Sequence, residues 1–304
     1  MTEPFGPELT SVRSPRVKAA RQLAKRALRL RARSFLAEGP QAVGAALARG
    51  GVVSQLFITA PARARHADLA GQAARQGAHV QAVSGEVMAE LAQTITPQGV
   101  LAVCRYIDIP LASLAASGPR LVVILANVRD PGNAGTVLRT ADAAGADGVI
   151  FSDASVDPYN SKCVRATAGS LFHLPLVMGV PVAQAVGAMR EAGLRILAAD
   201  GRASRSLDET GPGAPGAPGE PGSPLGQPTA WLFGNEAWGL PADLLALADD
   251  AVAVPIYGKA ESLNLAAAAA VCLYASARAA QAGQASRAGH GGPRAAAGRV
   301  PREQ

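Results

Sequence analysis

The sequence predicts an α/β protein in two parts, a smaller N-terminal α/β domain followed by a larger domain built on a parallel sheet. Three observations carry this expectation. The run Leu121–Leu125 (LVVIL) is continuously aliphatic, as befits a strand covered on both faces. After it, short apolar runs alternate with helical stretches, the pattern of a parallel sheet with helical crossovers. With 304 residues, 49% of them hydrophobic, the chain is long and apolar enough for about two domains with real cores.

Taken in order, residues 13–33 predict one helix, because Val17, Ala20, Ala24 and Leu28 recur at helical spacing among Arg and Lys. Residues 55–59 and 99–106 have the character of strands, and 62–76 and 84–93 of helices. Residues 110–119 are expected to form a linker. Beyond Leu121–Leu125, a polar loop leads into a helix over 134–144 that Gly145 stops. Strands follow at 148–151, 194–198, 231–233 and 251–254, a helix at 182–191, and an Ala-rich helix runs to about Ala280. Residues 210–228 are almost all Gly, Pro and small residues, which predicts an irregular surface insertion. The expected organisation is a basic arm over 1–33, a small domain over 34–110, the larger domain over 119–280 and a disordered basic tail over 281–304.

Charge is concentrated at the ends. Residues 11–33 hold nine basic side chains and no acid, and residues 281–304 hold four Arg and one Glu. The chain totals +6, so the body between these ends is mildly acidic. Clustered cations of this kind meet polyanions, since phosphate contacts supply salt-sensitive and largely sequence-blind affinity. Three dispersed cysteines and four histidines argue against a disulfide framework and against a metal site. The first ten residues carry no apolar signal segment, and no apolar run reaches the roughly 18–20 residues of a membrane span. A soluble, cytoplasmic protein is expected.

Three polar clusters stand just after predicted strands, where ligands bind in open α/β sheets. The first, NVRDPGNAGTVLRTAD over 127–142, places Asn133 where a helix N-cap belongs and Arg139 in the second helical turn. The second, LFGNEAWGLP over 232–241, offers Gly234 for close approach to the backbone and Glu236 as a loop carboxylate. The third, VPIYGKAESLNL over 254–265, offers Ser262 as a natural N-cap and Asn264 in the following turn. There is neither a G-x-G-x-x-G fingerprint nor a P-loop, which disfavours the usual NAD and ATP sites.

These clusters, in this order and at these separations, resemble the SpoU (TrmH-type) RNA methyltransferases of the SPOUT superfamily over about residues 120–280. FLAEGPQAVGAA (35–46), TITPQG (94–99) and the strand after it resemble the substrate-binding domain that accompanies such enzymes. The run DPYNSKCVRATAGS (157–170) also resembles the family. The resemblance implies a SPOUT domain with a C-terminal trefoil knot, a homodimer, and S-adenosyl-L-methionine as cofactor. It implies that Asn133, Arg139, Glu236, Ser262 and Asn264 form the catalytic cluster. Leu232, Gly234, Val254, Ile256 and Leu263 would hold the cofactor. Ile256 stands where the family commonly has Met, a change of little consequence for polarity. Arg16, Lys18, Arg21, Lys25, Lys162 and Arg165 are candidates for contacts to RNA phosphates.

The expected reaction is methyl transfer to a ribose 2′-hydroxyl of structured RNA, with ribosomal RNA favoured over transfer RNA. The resemblance gives Arg139 the task of helping to remove the hydroxyl proton. A guanidinium with a pKa above about 12 is a difficult base, so gripping the target phosphate suits Arg139 better. Three readings stand beside this one: methylation of a base, a non-catalytic RNA-binding or ribosome-assembly protein, and a nucleotide-dependent dehydrogenase. The intact set of polar residues speaks against the second, and binding of adenosylmethionine in place of NAD separates off the third.

Overall fold

The computed structural model describes residues 7–210 and 224–289, with side chains described up to 282. The smaller domain holds four strands, Ser34–Glu38 (β1), Val53–Ile58 (β2), His79–Ala82 (β3) and Val100–Arg105 (β4). Their order is β1-β4-β2-β3, with β4 antiparallel to both neighbours and β2–β3 parallel. Its helices are Pro15–Gln22 (α1), Arg26–Ala32 (α2), Pro40–Arg49 (α3), Ala60–Arg65 (α4), Ala67–Arg75 (α5) and Gly85–Leu91 (α6). The larger domain has seven strands in the order β7-β6-β5-β10-β8-β11-β9, every recorded pairing parallel. These are Leu121–Leu125 (β5), Gly148–Ser152 (β6), Leu176–Val180 (β7), Arg195–Ala199 (β8), Arg205–Ser206 (β9), Thr229–Phe233 (β10) and Asp250–Ala253 (β11). Its helices are Leu111–Ala116 (α7), Pro131–Ala143 (α8), Ser161–Ala166 (α9), Val182–Glu191 (α10), Ala242–Leu245 (α11) and Leu265–Gly289 (α12).

Helices cover both faces of the large sheet, as its continuous apolar strands require. On one face, Val123, Phe151, Trp231 and Phe233 pack with α8 and α12. On the other, Val122, Ile124, Ile150, Ile196 and Leu232 pack with α7 and α10. The first of these cores continues without a break into the small domain through Phe35, Tyr159 and Phe172. The two domains therefore share buried surface instead of meeting at a linker.

Several expectations need correction. The 13–33 helix is two helices broken at residues 23–25, and Arg29 inside the second is buried, its guanidinium bonded to the equally buried Asp157 at 2.7 Å. The 110–119 linker is largely the helix α7, whose Leu114 is fully buried against the large sheet. The 62–76 helix is split at His66 into α4 and α5. The expected surface insertion begins and ends in folded structure, because Thr210 and Leu225 are buried; residues 211–223 lie outside the described set. Helix α12 continues to Gly289, into the expected tail, whose remaining residues also lie outside it. Its segment Leu265–Ala282 is long and apolar enough to cross a membrane. Ala266, Ala269, Cys272, Leu273, Ser276 and Ala279 nevertheless form one buried stripe, and Ser276 accepts the Trp231 indole N–H at 2.9 Å. That stripe is the seam of a core helix.

Candidate active site

The carboxyl ends of all seven strands point one way, so the loops after β5, β10 and β11 emerge on one edge of the sheet. β5 and β10 are direct neighbours. The first loop is shaped from below by two buried serines at the end of β6. Ser152 Oγ accepts the Asn127 N–H at 3.0 Å, and Ser155 Oγ accepts that of Val128 at 3.2 Å. These bonds hold Asn127 in the left-handed region at φ 59°, a conformation Asn tolerates better than most residues. The chain then turns into α8.

Asp130, not Asn133, caps α8: its carboxylate accepts the Asn133 N–H at 2.8 Å. Asn133 is thereby the third helical residue, and its side chain is released from capping to face the neighbouring loops. The other Asp130 oxygen accepts from Lys162 Nζ at 2.8 Å. That bond and the cap hold the Asp130 carboxyl below the usual aspartate range.

The second loop is closed by paired backbone bonds between Asn235 and Gly239, at 3.0 and 2.9 Å. Asn235 Nδ2 also donates to the Asn127 carbonyl at 2.8 Å, which clips this loop to the first. Gly234 is required by the fold of its own loop. A Cβ there would lie 2.6 Å from Leu240 N and against the Gly239 carbonyl. Glu236 receives the backbone N–H groups of Arg129 at 3.4 Å and Asp130 at 3.3 Å, and the Asn133 amide at 3.3 Å.

In the third loop, Asn264 and not Ser262 caps the final helix. Its Oδ1 accepts the Ala266 N–H at 2.9 Å, and α12 begins at Leu265. Its Nδ2 donates to Asn133 Oδ1 at 3.0 Å. Asn133, Glu236 and Asn264 thus form one chain of hydrogen bonds that joins the start of α8 to two loops lying 103 and 131 residues further along the sequence. Arg139 and Ser262 are exposed and outside this chain. Arg139 begins the third turn of α8, about 9 Å along the axis from Asn133, with no side-chain partner among the described residues.

The expected cofactor residues divide. Leu232 is fully buried in the core, so only its backbone can meet a ligand. Val254 is half-buried, while Ile256 and Leu263 are exposed. No backbone hydrogen bond within the described residues uses the N–H or C=O groups of 256–263. Apolar side chains beside free backbone donors and acceptors suit a nucleoside with an aliphatic tail.

Of the other cations, Lys18 and Lys25 are exposed with no side-chain partner among the described residues. Arg16 donates to Gln81 at 3.0 Å, Arg21 pairs with Glu90, and Arg165 lies 3.7 Å from Glu38. One further pair was not anticipated. The Arg129 guanidinium lies over the Trp238 ring at 5.3 Å from its centre, at the mouth of the same two loops.

Comparison with known proteins agrees with this architecture. The SpoU rRNA methylase family model matches residues 120–274, and an MRM3-like substrate binding domain matches residues 14–102. The 23S rRNA (guanosine(2553)-2'-O)-methyltransferase RlmP of Bacillus subtilis is 33% identical over 88% of this chain and 98% of its own. An AdoMet-bound rRNA methyltransferase from Sinorhizobium meliloti superposes with a TM-score of 0.76 at 32% identity, covering 90% of this chain and 97% of that one. The SpoU methyltransferase AviRb from Streptomyces viridochromogenes, in complex with AdoMet, gives 0.72 at 29% identity over 87% and 98%. The fold, the ordered motifs and these relatives place the chain in the SpoU rRNA methylase family, to which it belongs.

Proposed function

We propose that the protein transfers a methyl group from S-adenosylmethionine to a ribose 2′-hydroxyl of ribosomal RNA, in the cytoplasm. The carrying observation is the Asn133–Glu236–Asn264 chain, in which the family motifs meet at 3.0–3.3 Å. The relatives' reaction and cofactor support the same reading.

The backbone around Gly234, Val254, Ile256 and Leu263 would hold the cofactor, which when bound supplies an electrophilic methyl on a sulfonium. Glu236 fixes the first loop by accepting its N–H groups and orients the Asn133 amide. Asn264 and Ser262 complete the polar wall that positions the ribose. Arg139, with all its donors free, grips the target phosphate bidentately, and the hydroxyl proton leaves through that phosphate or a neighbour. Lys18, Lys25, Arg16, Arg21, Lys162 and Arg165 are proposed to contact further phosphates. The chain segments from β10 to α12 are proposed to thread as a trefoil knot. Its support is that β10 inserts between β5 and β8, and that the loop after β11 returns to Asn133. A homodimer is proposed on the exposed Ile256, Leu263, Val271 and Tyr274 of the last loop and α12, since such side chains in one region mark an interface.

The test is transfer of labelled methyl to unmodified ribosomal and transfer RNA, followed by nuclease digestion. The expected product is a 2′-O-methylated nucleotide in ribosomal RNA. Arg139→Ala should abolish transfer while leaving adenosylmethionine binding intact. Label on a base, or transfer to transfer RNA alone, would overturn the reading.

A further inference from the structure

The Asn133–Glu236–Asn264 chain orients a ribose, but an RNA enzyme must also hold the nucleotide attached to it. Trp238 belongs to the loop that carries Glu236, and it leaves 51% of its surface exposed although its loop is tightly closed. The rigidity comes from the Asn235–Gly239 bonds and from the Asn235 clip to Asn127. A large ring held in solvent by a fixed loop is costly unless something covers it. One neighbour already does so in part: the Arg129 guanidinium, at 5.3 Å from the ring centre. Arg129 comes from the loop after β5 and its own N–H donates to Glu236 at 3.4 Å. Ring, cation and site carboxylate are therefore fixed by the same two loops.

We propose that Trp238 and Arg129 form a stacking platform for an unpaired base of the RNA substrate, at or beside the methylated nucleotide. The inference rests on the ribosomal RNA reading above. An indole with a cation on one side offers its remaining surface to a base, as RNA-binding proteins do with unstacked nucleotides. The guanidinium supplies charge toward the adjoining phosphate while its cation–π contact keeps the ring in place. Any base has a π-face, so the platform sets how the nucleotide is presented more than which base it is.

The chain has two tryptophans, and the other, Trp231, is fully buried with its N–H bonded to Ser276. Emission from Trp238 can therefore be isolated by comparing the wild type with Trp238→Phe. The expected result is that an unmodified 23S ribosomal RNA transcript quenches the wild-type emission and leaves that of Trp238→Phe unchanged. Trp238→Ala should raise the RNA KM about tenfold, the usual scale for losing a stacked base, with adenosylmethionine affinity unaltered. Trp238→Phe should recover most of that loss, and Arg129→Ala should shift KM in the same direction. An unquenched wild-type emission in the presence of bound RNA, or an unchanged KM in Trp238→Ala, would overturn the platform. So would dissociation of a dimer in Trp238→Ala, which would make the ring an interface residue. Should the wild type transfer no methyl group to ribosomal RNA, the functional reading fails, and the emission measurement still decides the platform.

Discussion

At the scale of single residues, Asn133 is freed from capping its own helix, whereas Asn264 caps α12 and reaches Asn133 at once. Asp130 takes over the capping of α8 and so lets Asn133 reach Glu236 and Asn264. A cap of this kind is worth about 1 kcal/mol. Lys162 steadies it, and the Asp130 carboxyl is held below its usual range by the Lys162 bond first and the cap second. Because the folded pKa is depressed, this contribution is present above the ordinary aspartate pKa and is lost as pH falls through the lowered one. In Lys162→Met the Asp130 midpoint, followed by carboxyl carbon NMR, should rise toward the ordinary value, and the α8 cap should fail at correspondingly higher pH. The three cysteines are buried and free, and burial pushes their thiols up, that of Cys272 to about 12. All three should resist thiol reagents in the native protein and react only after unfolding.

At the scale of elements, two glycines decide how closely loops and helices meet. Gly234 allows the second loop to fold back on itself, with Leu240 N only 2.6 Å from where a Cβ would stand. Gly234→Ala should distort the loop that holds Glu236, reducing methyl transfer at least tenfold and weakening adenosylmethionine binding, as read by calorimetry. Gly135 lets α8 lie against α9, with the Cys163 carbonyl 2.5 Å and Ala166 Cβ 2.7 Å from the missing Cβ. Overpacking there should cost roughly 1–3 kcal/mol in chemical denaturation. The strands were readable because buried parallel strands are continuous apolar runs, and β5, β6, β8, β10 and β11 sit within two residues of expectation. β7 and β9 were missed: Leu176–Val180 ends in Met-Gly-Val, and Arg205–Ser206 is too short to leave a pattern.

At the scale of the whole molecule, the domains are locked together by a buried ion pair and an aromatic cluster. Arg29 and Asp157 are 3% and 4% exposed, and Arg29 also donates to the Leu23 and Ala24 carbonyls. Tyr159 stacks on Tyr106 at 3.9 Å between ring centres and accepts from the Ile107 and Asp108 N–H groups. Removing one member of a buried pair strands the other, so Asp157→Ala should cost about 3–5 kcal/mol in urea unfolding. Paired replacement of Arg29 and Asp157 by apolar residues should cost far less. If the small domain grips RNA, Lys18→Ala and Lys25→Ala should each weaken binding across sequences and reduce the slope of log K against log salt by about 1.

The parallel sheet and the three polar clusters beyond its strand ends are legible in the chain alone. These follow from hydrophobic continuity and from motif order, which are local properties of the chain. The two helix caps expected from it are wrong, because Asp130 and Asn133, or Ser262 and Asn264, are near-equivalent caps by composition, and the choice falls to whichever residue the folded loop places directly before the first helical position. Arg29 belongs to the run of cations expected to meet a polyanion, yet it is buried against Asp157, a partner 128 residues away that nothing near it in the sequence announces. That Asn133, Glu236 and Asn264 share one hydrogen-bonded chain, that Arg139 stands apart from it, and that Arg129 lies over Trp238 is visible in the folded molecule alone. Such pairings are set by how loops from separate strands converge, and side-chain type and spacing carry no record of that convergence.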